Sequence, residues 1–180
     1  MRKQLVFAAL GHDRPGVLEE VTRLIVRHHG NVEASRMQRL GGDFALLMFV
    51  TAPEDRIEAL RKAVNELHFV KFDVLTRLSE ATEVQEETAA TCAVTVMGAD
   101  HLGIIHEVAR YLSEQGVNIE SMSTEVTAAP MSGAPLFSMS AVVRVPSRLK
   151  LADLREALDF IGGELNVDTQ VFEAEDSPPD

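Results

Sequence analysis

The feature that most limits how this chain folds is a repeat. GHDRPGV at 11–17 returns as GADHLGI at 98–104, and the correspondence continues well past the turn. At an offset of 87, Gly11, Asp13, Gly16, Glu20, Val21, Arg23, Asn31 and Glu33 face identical residues in Gly98, Asp100, Gly103, Glu107, Val108, Arg110, Asn118 and Glu120. A self-similarity of this period means that one supersecondary unit has been written twice. The 180 residues, 46% of them hydrophobic, then divide into two small cores rather than one large one.

Each half carries the same order of elements. A strand rich in apolar and β-branched residues comes first (4–10; 91–98). A helix follows, with Val17, Leu18, Val21, Leu24 and Ile25 in one half and Ile104, Ile105, Val108 and Leu112 in the other at helical spacing. Pro15 is expected at the first helical position, where its missing N–H costs nothing. Strands begin at Asn31 and Asn118. The first turns at Gly41-Gly42, a hairpin signal, into DFALLMFVT, and the second turns through AAPMSGAP into LFSMSAVVRV. A second helix carries Ile57, Leu60, Val64 and Leu67, or Leu151, Leu154, Leu158 and Ile161. The second half is seven residues longer by this point, a gain placed in its hairpin. Final strands are expected at 69–78 and 164–172. The order is βαββαβ twice over, an α+β chain of two ferredoxin-like units, each an antiparallel four-stranded sheet with both helices on one face. DFALLMFVT is apolar at consecutive positions, as in a strand covered on both sides, so the helix-free face of the first unit is expected to be covered by the other repeat or a second chain. LFSMSAVVRV alternates and makes no such demand.

The formal net charge of −11 is concentrated outside these units. SEATEVQEETAA at 79–90 and EAEDSPPD at 173–180 each hold four acids and no base, and without them the charge is −3. The chain is thus read as a first domain at 1–78, an acidic linker at 79–90, a second domain at 91–172 and a disordered acidic tail at 173–180. Apolar runs such as FALLMFV fall far short of the roughly 20 residues that span a bilayer. MRKQLVFAALGHD is read as a strand, not a leader. The single cysteine, Cys92, sits in the alternating run TCAVTVM and is read as a buried thiol in a reducing compartment, the cytoplasm.

Function is sought at the repeated turn. At Asp13-Arg14-Pro15-Gly16-Val17 and Asp100-His101-Leu102-Gly103-Ile104 a strand ends and a helix begins, presenting free N–H groups and the positive end of the helix dipole. A carboxylate suits that end, an aspartate accepts from an ammonium, and the amides of Asn31 and Asn118 both donate and accept. Together these groups describe a site for a free amino acid. One exposed helix terminus contributes about 0.3–1 kcal/mol, against the ~4 kcal/mol that a millimolar dissociation constant requires, so walls from a neighbouring unit are expected. Asp and Gly are equally ordinary turn and capping residues, and Asn tolerates a left-handed helix end. Both readings of the turn stand on these residues alone.

GHDRPGVLEEVTRLIVRHHGNVEASRM and GADHLGIIHEVARYLSEQGVNIESMS both resemble the opening half of ACT domains, the regulatory modules of amino-acid metabolism. As a free-standing tandem pair, the chain resembles the glycine cleavage system transcriptional repressor group. The resemblance implies a ligand site at the strand-to-helix loop and the start of the second strand, hence Asp13, Pro15, Gly16 and Asn31, and Asp100, Gly103, Ile104 and Asn118. Leu102 departs from the pattern where proline is usual. It also implies glycine or serine as ligand, homo-oligomerisation, and a protein partner such as a transcriptional activator rather than DNA. The lack of a basic stripe or helix-turn-helix pattern agrees with that last point. RNA recognition motifs share the βαββαβ order, but their stacking aromatics and basic signature are missing from LFSMSAVVRV.

Catalysis is the competing class. His12, His101 and His106 stand near the turns, yet they align with Ala99, Arg14 and Glu19, so the repeats share no histidine. No metal-spaced cluster, phosphate loop or Ser/His pair is present in the sequence. The expectation is a non-enzyme without cofactor or metal that senses a small amino acid; a ligand-independent oligomerisation scaffold is the alternative.

Overall fold

The computed structural model describes residues 1–67, 72–79 and 89–173. They form two compact units. The first contains β1 (Arg2–His12), α1 (Val17–Arg27), β2 (Asn31–Leu40), β3 (Asp43–Pro53), α2 (Ile57–Asn65) and β4 (Phe72–Ser79). The second contains β5 (Ala89–Ala99), α3 (Ile104–Glu114), β6 (Asn118–Ala128), β7 (Pro135–Pro146), α4 (Leu151–Leu165) and β8 (Val167–Glu173). The sheet orders are β2-β3-β1-β4 and β6-β7-β5-β8, with every pairing antiparallel. This is the βαββαβ architecture expected from the repeat. The expected strand residues 69–71, the middle of the acidic linker and nearly all of the tail lie outside the described residues.

Period-two alternation sends one face of each sheet to the helices. In the first unit Leu5, Phe7 and Ala9 of β1 and Leu46, Met48 and Val50 of β3 meet Val17, Val21 and Ile25 of α1 and Leu60 and Val64 of α2. In the second unit Cys92, Val94 and Val96 of β5 and Met139, Ala141 and Val143 of β7 meet Ile104, Val108 and Leu112 of α3 and Leu154 and Leu158 of α4. The opposite faces differ in chemistry. Val6, Ala8 and Leu10 lie beside Ala45, Leu47, Phe49 and Leu75 in the first unit, and Leu75 is 73% exposed. At matching places the second unit has Ala93, Thr95 and Met97 beside Val142, Ser140, Ser138 and Gln170.

Two expectations about element ends are corrected. Pro15 is not the first helical residue: α1 starts at Val17, and Gly16 is its N-cap at φ 92°. Gly103 does the same for α3 at φ 99°. A side-chain-bearing residue rarely adopts this left-handed backbone, so glycine sets the angle at which the chain enters the helix. The last strand begins at Val167 rather than 164, because α4 runs through Gly162 and Gly163 to Leu165 and ends on Asn166 at φ 52°. Gly162 is needed there: a Cβ would lie 2.7 Å from the Val167 carbonyl oxygen and 2.9 Å from Thr169. The missing side chain lets the helix lie close against β8, and that contact offsets the weak helix propensity of the pair. The extra length of the second unit falls mostly in the β6–β7 hairpin, where 129–134 replace the two-residue turn at Gly41-Gly42.

Candidate functional site

Main-chain bonds fasten each aspartate-bearing turn to the hairpin beside it. Asp13 N–H donates to the Gly42 carbonyl at 3.5 Å, and Asp100 N–H donates to the Pro135 carbonyl at 3.1 Å. The first helical bonds are Glu20 N–H to Gly16 and Glu107 N–H to Gly103, both 3.0 Å. The amides between, at 17–19 and 104–106, precede any intrahelical acceptor, and a glycine cap has no side chain to accept from them. Val17 and Ile104 bury their side chains in the cores, so of those two residues only the main chain faces outward.

The turns part company in their side chains. Arg14 donates twice to Glu20, at 2.9 and 2.7 Å, folding its guanidinium back over α1. That hydrogen-bonded pairing holds Glu20 below its ordinary range and Arg14 above its own. The Asp13 carboxylate is 3.5 Å from Arg39 of β2. In the second unit the residue in the register of Arg39 is Val126: each lies opposite a phenylalanine, Phe44 or Phe137, that in turn faces Gly11 or Gly98. Asp100 therefore has no such cation and takes part in no ion pair among the described residues. His101 replaces Arg14 and reaches across to α4, its Nε2 2.6 Å from the Leu165 carbonyl oxygen and its Nδ1 3.1 Å from that of Leu102. These carbonyls, the one at Leu165 most of all, raise its pKa above 6.5, with a further push from Asp100. Asp100, His101, Leu102, Gly103 and Ile104 line a hollow of about 450 Å³ that also touches Phe137. Leu102 stands clear of the fold at 99% exposure.

The asparagines lie elsewhere. Asn31 is in register with Thr51 and, through it, with Gln4 at the start of β1, whereas Asp13 follows the end of that strand. Asn118 likewise faces Arg144 and Thr91, eight residues down β5 from Ala99. At about 3.3 Å per residue this separation is roughly 26 Å, far beyond the span of one amino acid. Within a unit the structure brings the five turn residues together and leaves the asparagine at the other end of the sheet. Asn118 borders a separate hollow of about 430 Å³ with Ser113 and Gly116.

The structure also assigns a place to Glu33 and Glu120, which the sequence marks only as identical in both repeats. Register shifts between Val32 and Ala34, and between Ile119 and Ser121, make each glutamate the extra residue of a β-bulge. Glu33 accepts from Thr51 at 2.7 Å and from Asn31 at 3.2 Å, and these bonds lower its pKa. Glu120 accepts from Arg144 at 2.8 Å. Register alone puts Thr51 and Arg144 opposite the asparagines, so only the strand pairing reveals the connection. Among the described residues no group of three or more His, Cys, Asp or Glu side chains is placed to hold a metal, and no helix is long and apolar enough to cross a membrane.

Residues 3–78 match the family model for the ACT domain. The glycine cleavage system transcriptional repressor of Escherichia coli K12 is 24% identical over 163 residues, covering 90% of this chain and 85% of that protein. The first unit matches the ACT domain, and the second repeats its element order and sheet topology. Solved structures agree on the tandem fold. A protein of unknown role from Galdieria sulphuraria superposes with a TM-score of 0.85 at 28% identity, covering 97% of this chain and all of that one. A structure carrying the glycine cleavage system repressor name superposes with a TM-score of 0.71 at 24% identity, covering 98% and 99%. The turns at Gly16 and Gly103 share a backbone conformation and differ in their side chains.

Proposed function

We propose that this tandem ACT chain is a non-catalytic regulator that binds a small amino acid, glycine or serine, and reports its level to a protein partner such as a transcriptional activator. It acts in the cytoplasm as a homo-oligomer and touches neither nucleic acid nor membrane. The observation that carries the reading is the glycine-capped helix start beside an aspartate, present in both units. The uncapped amides take the ligand carboxylate, and the aspartate takes its ammonium. A second copy of the chain supplies the asparagine that the turn's own unit keeps too far away. The second turn is the better receiver, since among the described residues Asp100 has no ion pair whereas Asp13 lies against Arg39. Ligand shifts the protein between two states only by its difference in affinity for them, and the partner reads the favoured state.

Thermal unfolding of the full chain with each of the twenty amino acids tests this. A ligand at 100 times its dissociation constant stabilises the native state by about 2.7 kcal/mol, and a selective shift with glycine or serine is expected. Asp100→Ala and Asn118→Ala should each weaken that shift without loss of fold. No shift with any amino acid would overturn the sensor reading and leave the oligomerisation scaffold, which the Asp13–Arg39 contact favours for the first turn.

A further inference from the structure

The two turns are tied down by different chemistry, and only one of the ties is a group that titrates near neutral pH. Arg14 and Glu20 remain ionised throughout that range. His101 stands in the same place in the second unit, and both of its ring nitrogens face carbonyl oxygens. A neutral imidazole has one N–H, so it serves one of these acceptors and turns a lone pair toward the other; an imidazolium serves both. The Leu165 carbonyl ends α4, where no further turn of helix supplies a donor and the dipole is negative, and this favours a cation there. We infer that His101 is a pH-responsive clasp, closed when protonated, that fastens the turn before α3 to the C-terminal end of α4.

The groups around the ring agree in direction. Asp100, from the same turn, favours the cation by charge. α4 and the chain leading into β8 present the Leu165 carbonyl, with Glu164 and Asp168 flanking it in sequence. From α3, His106 lines the same hollow and is the one cationic neighbour there when protonated. The folded ring therefore holds its proton to higher pH than the unfolded ring, whose pKa is near 6.5. The clasp's contribution is complete below that value and is lost as pH rises through the folded pKa. Arg39 and Arg14 give the first turn no counterpart to this behaviour, and His12, 4.0 Å from Asp43, joins β1 to β3 rather than the turn to a helix end. The clasp stands on the geometry of the second unit alone. Its effect on sensing, a turn held in one arrangement in mild acid and released in mild base, rests on the function proposed above.

The test is a pH titration of the full chain by NMR from about pH 5 to about pH 8, without any amino acid present. The expected result is a His101 midpoint above 6.5, with the amide signals of Leu102, Gly103, Leu165 and Asn166 moving at that same midpoint. His101→Gln, which does not titrate, should abolish the shared transition. His101→Arg, charged at every pH in the range, should hold the turn and the helix end in the acid-form position throughout. His106→Gln should leave the transition in place. A midpoint at or below 6.5, amides that do not follow the ring, or a shared transition that survives in His101→Gln would each overturn the proposal. Since no ligand is added, these results are independent of the amino-acid panel, and either reading can fail without the other.

Discussion

The first unit closes its turn with two ion pairs, Arg14 with Glu20 and Arg39 with Asp13, whereas in the second no described residue forms an ion pair with Asp100 and one histidine fastens the turn across to α4. Beneath that difference the main chain is the same: glycine caps at φ 92° and 99°, bulges on equivalent glutamates, and equal sheet orders. Backbone angles that only glycine enters freely resist drift, because any replacement is strained. Exposed charge partners drift readily, because each exposed pair contributes little. A duplicated unit can therefore keep one scaffold while its two ends acquire separate chemistry.

The largest effect should come from breaking one core at a time. Leu60 and Leu158 are fully buried in separate clusters, each on the second helix of its unit. Leu60→Ala or Leu158→Ala should cost about 2–5 kcal/mol. Hydrogen exchange should rise in the mutated unit and stay slow in the other; a rise in both would show that the units fold as one. A smaller, opposite-signed pair tests the helix ends. α1 exits through His29 at φ 56°, and α3 exits through Gly116 at φ 70°. His29→Gly should stabilise the first unit by about 1 kcal/mol, and Gly116→Ala should destabilise the second by at least about that much. A Cβ at Gly116 would also run into the Arg148 guanidinium, which donates to the Gln115 carbonyl. Denaturant midpoints would check both.

The smallest expected effect is acid loosening of the first turn. Glu20 is held below 4.5 by Arg14, so its contribution is present above that value and is lost as pH falls through the lower folded pKa. Protection of the Arg14, Gly16 and Val17 amides against exchange should fall in acid, and Glu20→Gln should remove that dependence. The second turn, by contrast, should be at its firmest in mild acid.

The order and class of the elements were legible because apolar residues recur at period two or 3.6 in each repeat, and Gly41-Gly42 marked its hairpin without ambiguity. The helix ends were less so. Pro15 is as compatible with a turn as with a first helical position, and the close approach of β8 to Gly162 is set by packing that no local pattern records. Of the candidate site, the turn residues were legible as a group. Their partners were not, since Arg39, Arg144 and the Leu165 carbonyl arrive through strand register and helix length. The distance between each aspartate and its asparagine was hidden for the same reason: sequence spacing says nothing of which end of a sheet a residue occupies.

Cys92 is fully buried in β5, at the centre of the second core, and burial pushes its thiol pKa up. As the chain's only cysteine, it makes the native protein a one-site recorder. An alkylating reagent reaches that sulfur only when the second unit opens, so the labelling rate clocks that opening without any engineered probe. The first unit has no such sulfur and stays silent in the same assay. Half of this duplicated molecule can thus be timed against a mute internal twin.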